Sequence, residues 1–148
     1  MSPKSPLPAR ILIPVANPGT AEAAKFAAFR DAGVTRLSIG VQSFADDKLA
    51  ALGRIHDSAE ARRAIEMAQR NFERVNLDLM YALPGQTLDD CARDVDTALS
   101  FAPPHLSIYH LTIEPNTYFA KFPPTVPEDD DAYAMLDLIT ERTVAAGL

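Results

Sequence analysis

The sequence predicts an α/β fold built on a mainly parallel sheet. Short apolar runs with two-residue alternation recur along the 148 residues. Successive runs are separated by segments whose apolar residues fall at helical spacing. Most of these segments open on a capping signal and close on glycine or proline. Only a crossover of a dozen or more residues joins parallel neighbours, and such connections are right-handed, so the alternation implies βαβ units. Four strands are too few to close a barrel of the usual eight. The sheet is therefore an open one or an arc of a larger barrel.

Each element has its own signature. Residues 1–10 contain three prolines and no periodic apolar pattern, which predicts a disordered leader. Residues 11–16 are an apolar run, the first strand. The "NPGT" turn follows, with Thr20 as N-cap of a helix reaching about Ala32 and stopped by Gly33; Phe26 and Phe29 mark its buried side. Leu37, Ile39 and Val41 alternate with Ser38, Gly40 and Gln42 in the second strand. A loop through Arg54 and His56 leads to Asp57 and Glu60, spaced as a capping box. Behind it Ala61, Ala64, Ile65, Ala68 and Phe72 form a helical stripe. Val75, Leu77, Leu79 and Tyr81 alternate with Asn76, Asp78 and Met80 in the third strand, which closes on Pro84-Gly85. Thr87 with Asp90 announces the next helix, with stripe Leu88, Ala92, Val95, Leu99 and Ala102 and a stop near Pro103. Residues 106–113 are the fourth strand. After a proline-rich loop, a last helix runs to about Ala146 on the face Ala132, Met135, Leu136 and Ile139. Its acidic first turn, 128–131, complements the helix dipole.

Composition narrows the function. A formal charge of −6 argues against a nucleic-acid or anionic-membrane footprint. No apolar run approaches the roughly 20 residues that span a bilayer, and the start lacks the apolar core of a secretory signal, so a cytoplasmic location is expected. Cys91 is the one cysteine. It permits no internal disulfide and no multi-thiolate metal site, and beside a helix stripe it reads as a small hydrophobe. The first strand, as an open edge, is a pairing hazard for self-association.

In either architecture ligands bind at the carboxyl ends of the strands. Gln42 closes the second strand, Asp78 lies shortly before the turn of the third, and His110 with Thr112 lie on the fourth. Together these polar groups predict one shared mouth. Asp78 has two readings: a carboxylate capping backbone N–H groups or paired to Arg54, or a group facing a ligand. The "NPGT" and "ALPGQT" loops each hold one glycine and match no phosphate cradle. His56 and His110 lack metal-ligand spacing, and Ser38, Ser43 and Ser107 lie in no nucleophile elbow. The residues by themselves indicate a ligand-binding half-barrel and no reaction, with no catalytic or metal-binding residue assigned.

At "AGVTRLSIGVQSF", "LGRIH", "NLDLMYALPGQT" and "PPHLSIYHLTIEPNT" the sequence resembles the radical S-adenosylmethionine (SAM) enzymes of the oxygen-independent coproporphyrinogen III oxidase family. The resemblance covers roughly residues 16–148. "GVQSF" and "LTIEPNT" are more similar to the branch regarded as haem chaperones than to the oxidase. It implies a partial (β/α)6 barrel holding a [4Fe-4S] cluster and SAM, whose cleavage gives a 5′-deoxyadenosyl radical. The oxidase uses the radical to decarboxylate porphyrinogen propionates, and the chaperone carries haem to acceptor proteins. By resemblance, Gln42, Arg54, Asp78 and Thr112 match SAM-lining positions. A carboxylate accepts from ribose hydroxyls or an ammonium, an amide donates and accepts, and a guanidinium pairs with a carboxylate.

The sequence also departs from that pattern. The family's CxxxCxxC motif and the Gly-rich strand end expected before residue 15 are missing, and one cysteine cannot replace three thiolates. A SAM-contacting glutamate of the family corresponds to Val15. The expectation is an internal piece, residues 11–148, of a haem-chaperone-like radical SAM protein, inactive alone. The alternative is a stand-alone module that binds SAM, haem or a protein without redox chemistry.

Overall fold

The structure, a computed structural model, describes residues 9–14 and 20–148, with side chains described from Ala23 onward. The leader through residue 8, Val15 and residues 17–19 of the "NPGT" turn lie outside the described residues.

Four strands, β1 (Ala9–Pro14), β2 (Val34–Gln42), β3 (Arg74–Tyr81) and β4 (His105–His110), form one sheet in the order β1-β2-β3-β4. Every neighbouring pair is parallel. The crossovers carry α1 (Thr20–Asp31), then α2 (Asp46–Ala51) with α3 (Ser58–Asn71), and α4 (Leu88–Ser100); α5 (Tyr118–Lys121) and α6 (Asp129–Ala145) follow β4. Sequential strand order with helical crossovers is the winding of a barrel arc, as the alternation of elements requires.

The alternation in β2 and β3 separates two chemistries. Leu37, Ile39, Val75, Leu77 and Leu79, at most 1% exposed, pack against Phe26 of α1 and Ala61, Ile65 and Ala68 of α3. Burying a side chain such as Leu77 stabilises the fold by about 1.5–3 kcal/mol. A second cluster joins Tyr81 to Cys91 and Val95 of α4 and to Met135 and Ile139 of α6. On the opposite face the register aligns Ser38 with Asn76 and His105, and Gly40 with Asp78 and Ser107. That face is a polar ladder.

Caps set the helix starts. The Asp57 carboxylate accepts from Glu60 N at 2.8 Å. At α4 the box closes in both directions: Thr87 Oγ1 accepts from Asp90 N at 3.1 Å, and Thr87 N donates to Asp90 Oδ2 at 3.0 Å. Such caps are worth about 1 kcal/mol each. With α4 beginning at Leu88, the face toward the sheet is Cys91, Asp94, Val95 and Ala98, spaced i, i+3, i+4, i+7. The expected stripe of Leu88, Ala92, Val95, Leu99 and Ala102 is therefore rotated. Leu88 is 43% exposed, and a carboxylate occupies a core position.

Other expectations shift as well. The first strand, Ala9–Pro14, begins two residues before the expected 11, its expected end at 16 lying outside the described residues, and the fourth ends at His110 rather than 113. The short helices α2 and α5 occupy stretches read as loops. Leu136 lies on the exposed side of α6, whose buried face is Ala132, Met135 and Ile139. Among the described residues no helix is long and apolar enough to cross a membrane.

Candidate functional site at the carboxyl ends of the strands

Asp78, central in β3, is 9% exposed, and no ion pair joins it to any cation among the described residues. Uncharged donors meet it instead. Asn76 Nδ2 donates to Asp78 Oδ1 at 2.7 Å, and Ser38 Oγ lies 3.5 and 3.4 Å from Oδ1 and Oδ2. Asn76 Nδ2 also donates to Ser38 Oγ at 2.7 Å, which turns the serine's own hydrogen toward the carboxylate. Because a carboxylate only accepts, the Asn76 amide orientation is fixed, and its Oδ1 faces outward. There it accepts from Ser107 Oγ at 3.1 Å and from His105 Nδ1 at 2.6 Å, so Nδ1 of His105 carries a proton. Four side chains from three strands thus orient one buried carboxylate. Among the described residues Oδ2 receives only the long Ser38 contact and keeps most of its acceptor capacity.

Gln42 ends β2 with φ +71°, and the β2–β3 register shifts between Gly40 and Gln42. Such irregularities re-aim side chains beside ligand sites. Gln42 is 8% exposed, yet its side-chain amide has no hydrogen-bond partner among the described residues. Gly40 pairs with Asp78 and Gln42 with Leu79, so the two candidate groups sit on adjacent strands.

The other expected residues scatter more widely. Arg54 is exposed in the loop after α2 and does not pair with Asp78, which removes the ion-pair reading of that carboxylate. Thr112 is exposed two residues beyond the end of β4, where Oγ1 donates to Glu114 at 2.8 Å. His110 does not join the mouth. The parallel register pairs it with Tyr81 on the helix-facing side, where the rings meet edge to face at 5.1 Å over a groove of about 210 Å³ beside α6. His56 is a core histidine whose Nε2 lies 3.1 Å from Val41 O.

Two anchors that the sequence reading missed hold the loops of this rim. Lys48, in α2, donates to Gly85 O and to Asp47 Oδ2, both at 3.1 Å, and lies 3.8 Å from Asp90 Oδ2. It ties the β2 loop to the Pro84-Gly85 turn. Asp94, in α4, accepts from Ser43 Oγ at 2.6 Å and Phe44 N at 2.9 Å. Burial pushes its carboxyl pKa up, and the hydrogen bonds from Ser43 and Phe44 only partly oppose this. Asp90 moves the other way, lowered first by the backbone N–H of Thr87.

The radical SAM superfamily description matches residues 8–98. The chain belongs to the radical SAM superfamily. It is similar to the heme chaperone HemW of Haemophilus influenzae, 53% identical over 133 residues, which are 89% of this chain and 35% of the relative. It is similar also to HemW of Escherichia coli, 48% identical over 136 residues, with the same two coverages. The chain spans about a third of the length of these relatives. The haem-chaperone resemblance of "GVQSF" and "LTIEPNT" is borne out. Coproporphyrinogen III oxidase (HemN) from Escherichia coli, a radical SAM enzyme, superposes with a TM-score of 0.81 at 22% identity. The match covers 93% of this chain and 32% of that one. Elp3 of Methanocaldococcus infernus reaches a TM-score of 0.70 at 17% identity, over 88% of this chain and 32% of that one. Both share the fold, a radical SAM barrel of which this chain is a partial arc.

The two groups associated with that superfamily fare differently against these residues. A buried carboxylate with one lightly used oxygen, on the strand next to a solvent-touching Gln42 amide that has no hydrogen-bond partner among the described residues, fits a ligand with hydroxyl, ammonium and carboxylate groups such as SAM. An iron-sulfur cluster does not fit. Cys91, on α4, is 1% exposed, and burial, followed by the charge of Asp94, pushes its thiol up to about 11. Among the described residues no group of three His, Cys, Asp or Glu side chains converges.

Proposed function

We propose that this chain forms one wall of a SAM-binding site in a haem-chaperone-like, coproporphyrinogen-oxidase-like radical SAM protein of porphyrin metabolism. The observation that carries the reading is Asp78: a buried carboxylate oriented by neutral donors, with no cation beside it among the described residues, is costly to keep unless a ligand uses it. Its free oxygen accepts from ribose hydroxyls or from the ammonium of the bound amino acid. The Gln42 amide supplies a donor and an acceptor beside it. Arg54, exposed at the rim, pairs with the ligand carboxylate, and Thr112 lines the outer edge. Radical formation from SAM requires an electron donor that these residues do not fit, so their role is binding and orientation. Haem or a porphyrinogen as second ligand, and a haem-accepting protein as partner, are supported by the identity to the two heme chaperones.

Titration of SAM into the 15N-labelled chain tests the site. Millimolar SAM is expected to shift the backbone and side-chain amide resonances of Gln42 and the backbone of Asp78, with Arg54 following. The Asp78→Asn variant should lose at least tenfold in affinity. Shifts confined to other surfaces, an unchanged affinity in the variant, or no shift up to the solubility limit would each overturn the reading.

A further inference from the structure

Gln42 occupies a backbone conformation that a non-glycine residue avoids, and its surroundings hold it there. Ser43 N donates to Val41 O at 2.9 Å across Gln42, whose φ is +71°. This closes a three-residue turn of the rare, strained positive-φ kind. The same Val41 carbonyl accepts from His56 Nε2 at 3.1 Å. The two residues after Gln42 are pinned by one side chain: Asp94 accepts from Ser43 Oγ at 2.6 Å and from Phe44 N at 2.9 Å. Ser43 Oγ in turn accepts from Ala45 N at 3.1 Å. Asp94 is 5% exposed on the core face of α4, where an apolar residue would be the inexpensive choice. A buried carboxylate and a strained turn adjoin the Gln42 amide, which touches solvent and has no hydrogen-bond partner among the described residues.

We propose that Asp94 is a positioning residue: by bonding the Ser43 hydroxyl and the Phe44 amide together, it holds Gln42 in the strained turn and keeps its amide unpaired for the ligand. This rests on the reading that Gln42 contacts the ligand. The physical logic is preorganisation. Strain persists only where surrounding contacts over-determine it, and here α4 supplies them.

The test is a double-mutant cycle in the full chain, read by denaturant midpoint and by the Gln42 amide and Cα resonances. With the turn held at positive φ, Gln42→Gly relieves strain and should raise the folded-to-unfolded ratio about fivefold. In an Asp94→Leu background the turn relaxes, the gain disappears, and the Gln42 resonances move. Asp94→Asn, which still accepts from Phe44 N and can donate to Ser43 Oγ, should restore most of the gain and the resonance positions. Should Asp94→Leu not fold, Ser43→Ala removes one of the two contacts and is expected to lose part of the gain. An equal gain from Gln42→Gly in every background, or no gain in the parent, overturns the proposal. This outcome is separable from failure of the site: SAM leaving Gln42 unmoved sinks the ligand reading and not the coupling, whereas absent coupling with ligand shifts intact sinks only the role of Asp94.

Discussion

Replacing Asp78 by asparagine separates a carboxylate kept for a ligand from one kept for folding. The shapes are nearly identical. Asn76 Nδ2, now 2.7 Å from Oδ1, can go on donating to the new amide oxygen. The new Nδ2 can donate to Ser38 Oγ, which then accepts instead of donating. Hydrogen bonds to a charged acceptor are worth about 1.5–3 kcal/mol and neutral ones about 1, so weakening the Asn76 and Ser38 contacts costs about 2 kcal/mol. Against this stands the desolvation of a carboxylate that is 9% exposed and has no cation beside it among the described residues, which is on the order of several kcal/mol even after relaxation. The net expectation is a gain of about 1 kcal/mol. For a chain of this size that is a rise of about 2–4 °C in Tm. Urea unfolding at neutral pH, with the slope unchanged, measures it. A loss of more than about 1 kcal/mol would show that the charge stabilises the fold and that the ladder around it is structural, refuting the argument for a ligand.

Three further outcomes follow from named positions. Ala102, exposed just past the C-terminus of α4, has φ +50°, so Ala102→Gly should stabilise the chain by about 0.5–1 kcal/mol, measured by the urea midpoint. Cys91, buried with its thiol pushed up to about 11, should react with an aromatic disulfide reagent only at the rate of unfolding, and a fast native-state reaction would contradict its burial. Asp94 titrates above its ordinary 3.8 in the folded chain, so the native state holds more protons than the unfolded one from that value upward. Its contribution therefore declines as pH rises through that window, and Asp94→Asn should flatten that part of the stability profile.

Much of the architecture was legible because it depends on periods and caps. The alternation in β2 and β3 separates an apolar from a polar face, and the Asp57 and Thr87 signals start helices where the cap bonds form. The helices α2 and α5 were not legible, since elements of six and four residues are too short to show an amphipathic period. Asp94 escapes a reading of apolar periodicity, because a stripe phased on Leu88 puts it off the buried face, whereas the capping box at Thr87 fixes the phase that buries it. The site was half legible. Gln42 and Asp78 do lie on adjacent strands, and of the readings open for Asp78 (a ligand-facing group, or a carboxylate capping backbone N–H groups or paired to Arg54) the Arg54 pairing falls, with the neutral side chains of Asn76 and Ser38 meeting the carboxylate. Ser38, Asn76 and Ser107 share one face across three strands in the parallel register, a signal that a strand-by-strand reading overlooks. Position near a strand end alone places His110 at the mouth. Its parity with Tyr81 sends it to the other side.

The exposed imidazole of His105 stands one amide away from the buried Asp78. Any occupant that draws on the carboxylate must repolarise Asn76, and with it the proton on Nδ1. The chain thereby carries an intrinsic gauge: the Nδ1 resonance of a surface histidine reports on events at a charge that solvent barely touches, with no label attached at the site itself.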